Sequence, residues 1–221
     1  MAFDLVIFDC DGVLVDSEPI VNRAHAETLT ACGCAFDGAE LLERFCGMSD
    51  KDMLATIERE RGWMRPSDYE TRVAAIVARD YATSLQAIDG VAAVLAALTV
   101  PCCVASSGVP AQIRRGLGAT GLAGYFGDRL FSATMVARGK PAPDLFLYAA
   151  ARMQARPAHC VVIEDSLPGV AGAVSAGMTA IGFVGGGHCR SDHAQRLAAH
   201  GAAAVIDRMS QLLPALDKLL R

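Results

Sequence analysis

Leu5-Val6-Ile7-Phe8-Asp9-Cys10-Asp11-Gly12-Val13-Leu14-Val15-Asp16-Ser17-Glu18 is the stretch that decides the fold. Its apolar run, Leu5 to Phe8, ends abruptly in Asp9 and Asp11, with Cys10 between them. Such a run reads as a strand covered on both faces, with like charges at its C-terminal tip. Two carboxylates this close repel each other unless a cation holds them, and a hard cation such as Mg²⁺ suits their oxygens. An ionised aspartate is also a nucleophile towards phosphorus. The plainer alternative is a turn after an edge strand.

Apolar runs of the same kind recur at Cys102–Ala105, Cys160–Ile163, Thr179–Val184 and Ala203–Ile206. Helix-like stretches separate them: Pro110–Leu117, Pro143–Met153, Leu167–Ala176, Asp192–His200 and Ser210–Leu220. Strand followed by helix, repeated, predicts an α/β fold, a Rossmann-like parallel sheet with helices on both faces. Residues 17 to 86 break that rhythm. Ser17–Ala31, Ala39–Arg44, Lys51–Arg61 and Pro66–Leu85 all read as helical, punctuated by Gly33, Gly47 and Gly62–Pro66. The expected organisation is therefore a core of residues 1–16 and 87–221 and an inserted all-α cap of residues 17–86, with Ser84–Gly90 as the return hinge.

The bulk numbers exclude several classes. The chain has 221 residues, 52% hydrophobic and 20% charged, which is enough for a sizeable core and unlike a disordered chain. A net charge of −4 offers no basic field for nucleic acid. No apolar segment is long enough to span a membrane, and the start lacks the pattern of a signal peptide. The eight cysteines include no Cys-x-x-Cys pair, which argues against structural zinc; Cys32-x-Cys34 reads as an incidental helix end. Reduced thiols in the cytoplasm are expected, together with a monomer, a dimer being the alternative.

In a parallel α/β sheet, ligands sit at the C-terminal ends of strands near the switch in strand order. What each strand delivers there is therefore informative. The run Cys102–Ala105 delivers Ser106-Ser107-Gly108 and then Pro110 opens a helix, which makes either an anion site or simple capping. Arg138-Gly139-Lys140-Pro141-Ala142-Pro143 frames a lysine between a glycine and prolines; it is either a restrained phosphate ligand or a solvated loop lysine. Val161–Ile163 ends in Glu164-Asp165-Ser166-Leu167-Pro168-Gly169, which either caps the next helix or supplies a second carboxylate pair. Two acidic pairs on strands of one sheet imply a divalent metal between them.

Asp-x-Asp-Gly-Val, an apolar run ending in Ser, Gly-Lys-Pro-x-Pro-Asp and Glu-Asp-Ser-x-x-Gly occur in that order. This set resembles the haloacid dehalogenase superfamily of phosphohydrolases over the whole chain. Within it the chain is similar to the β-phosphoglucomutase and sugar-phosphatase branch. Asp9–Glu18, Ala87–Gly90, Tyr125–Ser132 and Asp165–Gly177 most resemble 6-phosphogluconate phosphatase-like members. The resemblance implies that Asp9 attacks phosphorus and that Asp11 is the general acid and then base. It implies Mg²⁺ on Asp9, the Asp11 carbonyl and Asp165, with Glu164 behind them or bound through water. Ser106, Ser107 and Lys140 would bind the phosphoryl oxygens. Glu18 at the first hinge and Ser49, Asp50 and Lys51 in the cap loop would face a small phosphorylated metabolite, a sugar or sugar-acid phosphate.

The departures from the branch bear on the reaction. Val21 stands where β-phosphoglucomutases carry a hinge histidine, Asp50 where they carry an arginine for the distal phosphate, and Val109 where many relatives have a lysine. These favour a phosphatase over a mutase, although Lys51 offers a substitute cation. Asp11 argues against a dehalogenase, which needs no leaving-group acid. A phosphonatase would need Lys51 as a Schiff-base lysine. A non-catalytic phosphate- or metal-binding module has no use for Asp11. A dinucleotide oxidoreductase would need more than Gly185-Gly186-Gly187; His188 just beyond reads as exposed.

Overall fold

Leu5–Phe8 forms β1, and all four residues are fully buried, because helices cover both faces of the sheet. Alternation divides them. Val6 and Phe8 point into one hydrophobic core, and Leu5 and Ile7 into another on the opposite face. The same split runs along Cys102–Ser106 (β2), Cys160–Glu164 (β4) and Thr179–Phe183 (β5). Each aliphatic side chain so buried contributes about 1.5–3 kcal/mol before chain entropy is counted.

The structure is a computed structural model and describes residues 3–45, 50–186 and 192–220. Its six described strands form one parallel sheet in the order β3-β2-β1-β4-β5-β6, with β3 at Leu130–Ser132 and β6 at Ala204–Ile206. The helices after the first strand's insert are α5 (Val91–Ala97), α6 (Pro110–Ala119), α7 (Ala123–Phe126), α8 (Asp144–Arg152), α9 (Leu167–Ser175), α10 (His193–Ala199) and α11 (Leu212–Leu219). This is the expected Rossmann-like arrangement. Three elements carry no pattern that the sequence reading picks up: β3, α5 and the single-turn α7. β3 is a three-residue edge strand, and α5 is an Ala-rich helix of seven residues between Gly90 and Pro101.

Strand order reverses beside β1. The chain runs outwards through β2 and β3, then crosses back to place β4 on the other side of β1. Phe8 lies in register with Ile163, so the tips of β1 and β4 are neighbours at the switch point.

Between β1 and β2 the insert supplies α1 (Glu18–Ala31), α2 (Gly38–Phe45), α3 (Asp50–Arg61) and α4 (Tyr69–Ser84). It has a small core of its own, including Leu29, Phe36, Leu41, Leu54, Ile57 and Tyr69. Tyr81 and Leu85, at and beyond the last turn of α4, belong instead to the larger core under the sheet. The two connecting segments are tied together: Asp16 N–H donates to Gln86 O and Ile88 N–H to Leu14 O.

Candidate active site

Asp9 follows β1 directly, and its N–H donates to Ile163 O, which locks it against β4. The chain then turns sharply. Gly12 takes φ +74°, a left-handed value that suits glycine, and Leu14 and Val15 both donate back to Cys10 O. Asp11 therefore projects from a tight loop beside Asp9. From the β4 tip come Glu164, which is fully buried, and Asp165, which is nearly so. Lys140 arrives from the loop before α8; its side chain is 4% exposed and its Nζ lies 2.9 Å from Asp9 Oδ1. The same ammonium pairs with Glu164 Oε1 and sits 5.4 Å from the centre of the Phe146 ring. The other Glu164 oxygen accepts from Ser166 N–H at 3.1 Å and Ser166 Oγ at 2.9 Å. Ser166 in turn caps α9, accepting from Gly169 N–H.

The electrostatics of this cluster are unbalanced. Asp9, Glu164 and Asp165 each offer a carboxylate oxygen, all within 4.8 Å of one another. One ammonium, Lys140, faces them. Burial pushes the Asp9 carboxyl well above the usual range; Lys140 opposes this, while Glu164 and Asp165 add to it. Burial alone would pull Lys140 down, but Asp9 and Glu164 more than reverse that, and it stays charged. Asp9 Oδ1 is buried and makes no hydrogen bond of ordinary geometry beyond its ion pair. An all-oxygen set with surplus negative charge fits a hard divalent cation such as Mg²⁺.

The β2 tip supplies the third side. Ser106 is buried and its Oγ accepts from Gly108 N–H at 3.0 Å. The residue ahead of α6 is Val109, so Ser106 shapes the loop rather than capping the helix. From β3, in register with Ser106, Ser132 Oγ donates to Gly108 O at 2.7 Å and braces the same loop. Ser107 is exposed on it.

A family model for haloacid dehalogenase-like hydrolases matches residues 3–177. The chain belongs to this family. It is an enzyme, a phosphoric monoester hydrolase. Among proteins similar to this haloacid dehalogenase-like hydrolase, 6-phosphogluconate phosphatase of Escherichia coli (strain K12) is 33% identical over 210 residues, covering 95% of this chain and 92% of that protein. A conserved haloacid dehalogenase-like protein from Agrobacterium tumefaciens str. C58 superposes with a TM-score of 0.91 at 37% identity, each chain covered in full. A family hydrolase from Deinococcus radiodurans R1, solved with bound phosphate and sodium, gives 0.82 at 33% identity, covering 98% of this chain and 96% of that one.

On the insert side of this hydrolase lies a cavity of about 630 Å³, between α1, α3, α4 and α6. Val21, Asp50 and Val109, the positions that depart from the branch, all line it, as does Lys51 beside Asp50. So does His25, one turn after Val21. Its Nδ1 lies 3.0 Å from Tyr69 Oη and its Nε2 3.6 Å from Asp50 Oδ2. Neighbouring His25 is the main reason the Asp50 carboxyl is held below its usual range. Glu18 is half-buried at the start of α1. Ser49, with Gly47 and Met48, lies outside the described residues, as do Gly187 and His188.

Two residues escape sequence reasoning. Tyr81 Oη donates to Asp11 Oδ1 at 3.2 Å, from 70 residues away. An aromatic at helical spacing carries only a core signal. His193, buried on α10, donates from Nε2 to the backbone oxygen of Asp165 at 2.5 Å. No local pattern announces either contact.

Proposed function

We propose that this hydrolase is a Mg²⁺-dependent phosphatase of a small phosphorylated metabolite, a sugar or sugar-acid phosphate, working through an aspartyl phosphate. The observation that carries the reading is the grouping of Asp9, Lys140, Glu164 and Asp165 at the switch point, with Asp11 on the adjoining loop. The name of the Escherichia coli relative supports the substrate class.

Asp9 and Asp165, with the Asp11 carbonyl, would hold Mg²⁺, and Glu164 would act behind them or through water. When bound, the ion neutralises phosphoryl oxygens and lowers the cost of attack. Asp9 Oδ attacks phosphorus in line with the ester oxygen. The ester P–O bond breaks and its electron pair leaves with that oxygen, which takes a proton from Asp11. Asp11, now a carboxylate, removes a proton from water as the water oxygen bonds to phosphorus and the Asp9–phosphorus bond breaks. Lys140 holds a fixed positive charge beside Asp9 and the transferring oxygens throughout, which is the main demand of phosphoryl transfer. Ser106 and Ser107 orient those oxygens. Helices α1–α4 form a cap, and the leaving group occupies the cavity lined by Asp50 and Lys51.

Phosphatase is favoured over mutase because Val21, Asp50 and Val109 stand on the cavity wall where members of the branch carry a histidine, an arginine and a lysine, although Lys51 and Arg115 also line it. Asp50 faces His25, Arg65 is already paired with Glu58 and Glu70, and Val21 and Val109 present apolar walls. Cys10, Cys32, Cys34, Cys102, Cys103 and Cys160 are free thiols, which suits a reducing, cytoplasmic setting. Among the described residues no helix is long and apolar enough to cross a membrane.

The test is a panel of sugar, sugar-acid and hexitol phosphates assayed for phosphate release with Mg²⁺ and with EDTA. Release from at least one member, abolished by EDTA, is expected. Isomerisation of a sugar phosphate without release of phosphate contradicts the reading.

A further inference from the structure

We infer that Tyr81 is a positioning residue through which the helical insert aims Asp11 at the leaving group. The inference rests on the acid/base role proposed for Asp11 above.

The two oxygens of Asp11 have different surroundings. Oδ1 accepts the hydrogen bond from Tyr81 Oη at 3.2 Å. Oδ2 faces the phosphate-side loop: a Cβ built on Gly108 would come within 3.8 Å of Oδ2 and 3.3 Å of Ser106 Oγ. A carboxyl torsion is broad and nearly two-fold, so without a fixed donor its two oxygens exchange places. With Oδ1 engaged by Tyr81, Oδ2 is the oxygen left to carry the transferred proton, on the side of the loop that bears Ser106.

Tyr81 is itself held firmly. It is 2% exposed and sits in the core with Leu85, Ile113 and Leu117. Its ring packs where α6 has a glycine: a Cβ on Gly116 would lie 3.9 Å from Tyr81 Cε2 and 3.5 Å from Leu85 Cδ2. The insert delivers a second hydroxyl to the same hinge. Ser17 Oγ, just before α1, is buried beside both the Asp11 carboxyl and the Tyr81 hydroxyl, without a hydrogen bond of ordinary geometry to either. Tyr81 also forms part of the wall of the leaving-group cavity. One side chain thus touches both the space for the leaving group and the group that protonates it. Tyr81 keeps its own proton; in the first step Asp11 gives its proton to the ester oxygen as the P–O bond breaks.

A group that aims the acid matters most for a leaving group that needs a proton. The experiment measures kcat/KM of wild type, Tyr81→Phe and Asp11→Asn on two substrates. One is the best alkyl phosphate found for the enzyme; the other is p-nitrophenyl phosphate, whose leaving group departs unprotonated. kcat/KM reads only the steps through leaving-group departure, so the shared hydrolysis of the aspartyl phosphate does not enter. Tyr81→Phe retains the ring and its packing, and its circular dichroism and Tm are expected to match wild type. The expected result is a fall on the alkyl phosphate about 10-fold larger than on the aryl phosphate, a fraction of the effect of losing a general acid. Equal falls on both substrates, or none, overturn the inference. Asp11→Asn separates the two readings. If it shows the alkyl-selective loss and Tyr81→Phe does not, the positioning role fails alone; if neither shows it, the acid role of Asp11 fails as well.

Discussion

Gly169 lies against the carboxylate of Glu164: a Cβ built on residue 169 would sit 2.0 Å from Glu164 Cδ. The Glu-Asp-Ser-x-x-Gly spacing thus has a steric cause. The first turn of α9 crosses over the buried Glu164 side chain, which Lys140 and Ser166 fix in place. Gly169→Ala forces Glu164 or the helix to move. Overpacking of this kind costs about 1–3 kcal/mol, seen as a lowered urea midpoint, and phosphate release falls with it because Lys140 loses a partner. An unchanged midpoint together with unchanged activity contradicts this packing.

His193 sits behind the proposed metal ligand Asp165, bonded to its backbone oxygen. Such outer partners orient ligands and are worth about 10–100-fold in metal affinity. His193→Phe is therefore expected to raise the Mg²⁺ concentration for half-maximal activity by about 10-fold, with activity recovered at saturating metal. A magnesium titration of the variant checks this.

Asp50 and Lys51 line the cavity, and Asp50 is held by His25. Asp50→Ala and Lys51→Ala are expected to change the ratio of kcat/KM between two substrates by about 10-fold. Activity on p-nitrophenyl phosphate should stay near wild type, because Asp9 and Lys140 are untouched. An unaltered substrate profile in both variants removes these residues from recognition.

Asp80 ties α4 to α1. Its Oδ2 pairs with Arg23 at 2.8 Å and its Oδ1 with Arg79 at 2.6 Å. Arg79, then Arg23, holds its carboxyl down at about 2, against an ordinary 3.8. The folded state binds the proton less readily than the unfolded state, so this stabilisation is present above the ordinary value and fades as pH falls to about 2. Wild type should exceed Asp80→Asn in stability at neutral pH, and the gap should close through that window. Both arginines are about half exposed, so salt should shrink the gap too. Urea melts over a pH series measure it.

The sequence made the charged half of the site legible because unbalanced charge at an apolar strand tip needs explanation. Asp9, Lys140, Glu164 and Asp165 each break a run that is otherwise buried or rigid, and the structure gathers all four within one cluster. The parallel sheet was legible for the same reason: Leu5–Phe8 and its counterparts are apolar on consecutive residues. β3 was not, since three residues after Arg129 carry too short a pattern, yet its Ser132 braces the Ser106 loop. Tyr81 and His193 were hidden for another reason. Their roles depend on partners 70 and 28 residues away, and nothing in their own segments distinguishes them from packing residues.

The central claim is that Asp9 is the nucleophile of a Mg²⁺-dependent phosphatase, and one measurement bears on it most directly. Phosphate release by Asp9→Asn is compared with wild type on the best substrate at saturating Mg²⁺, with circular dichroism showing that both are folded. The account predicts a loss of at least about 1,000-fold, in the range that removal of a covalent nucleophile costs. Turnover by Asp9→Asn at a rate near that of wild type would contradict it.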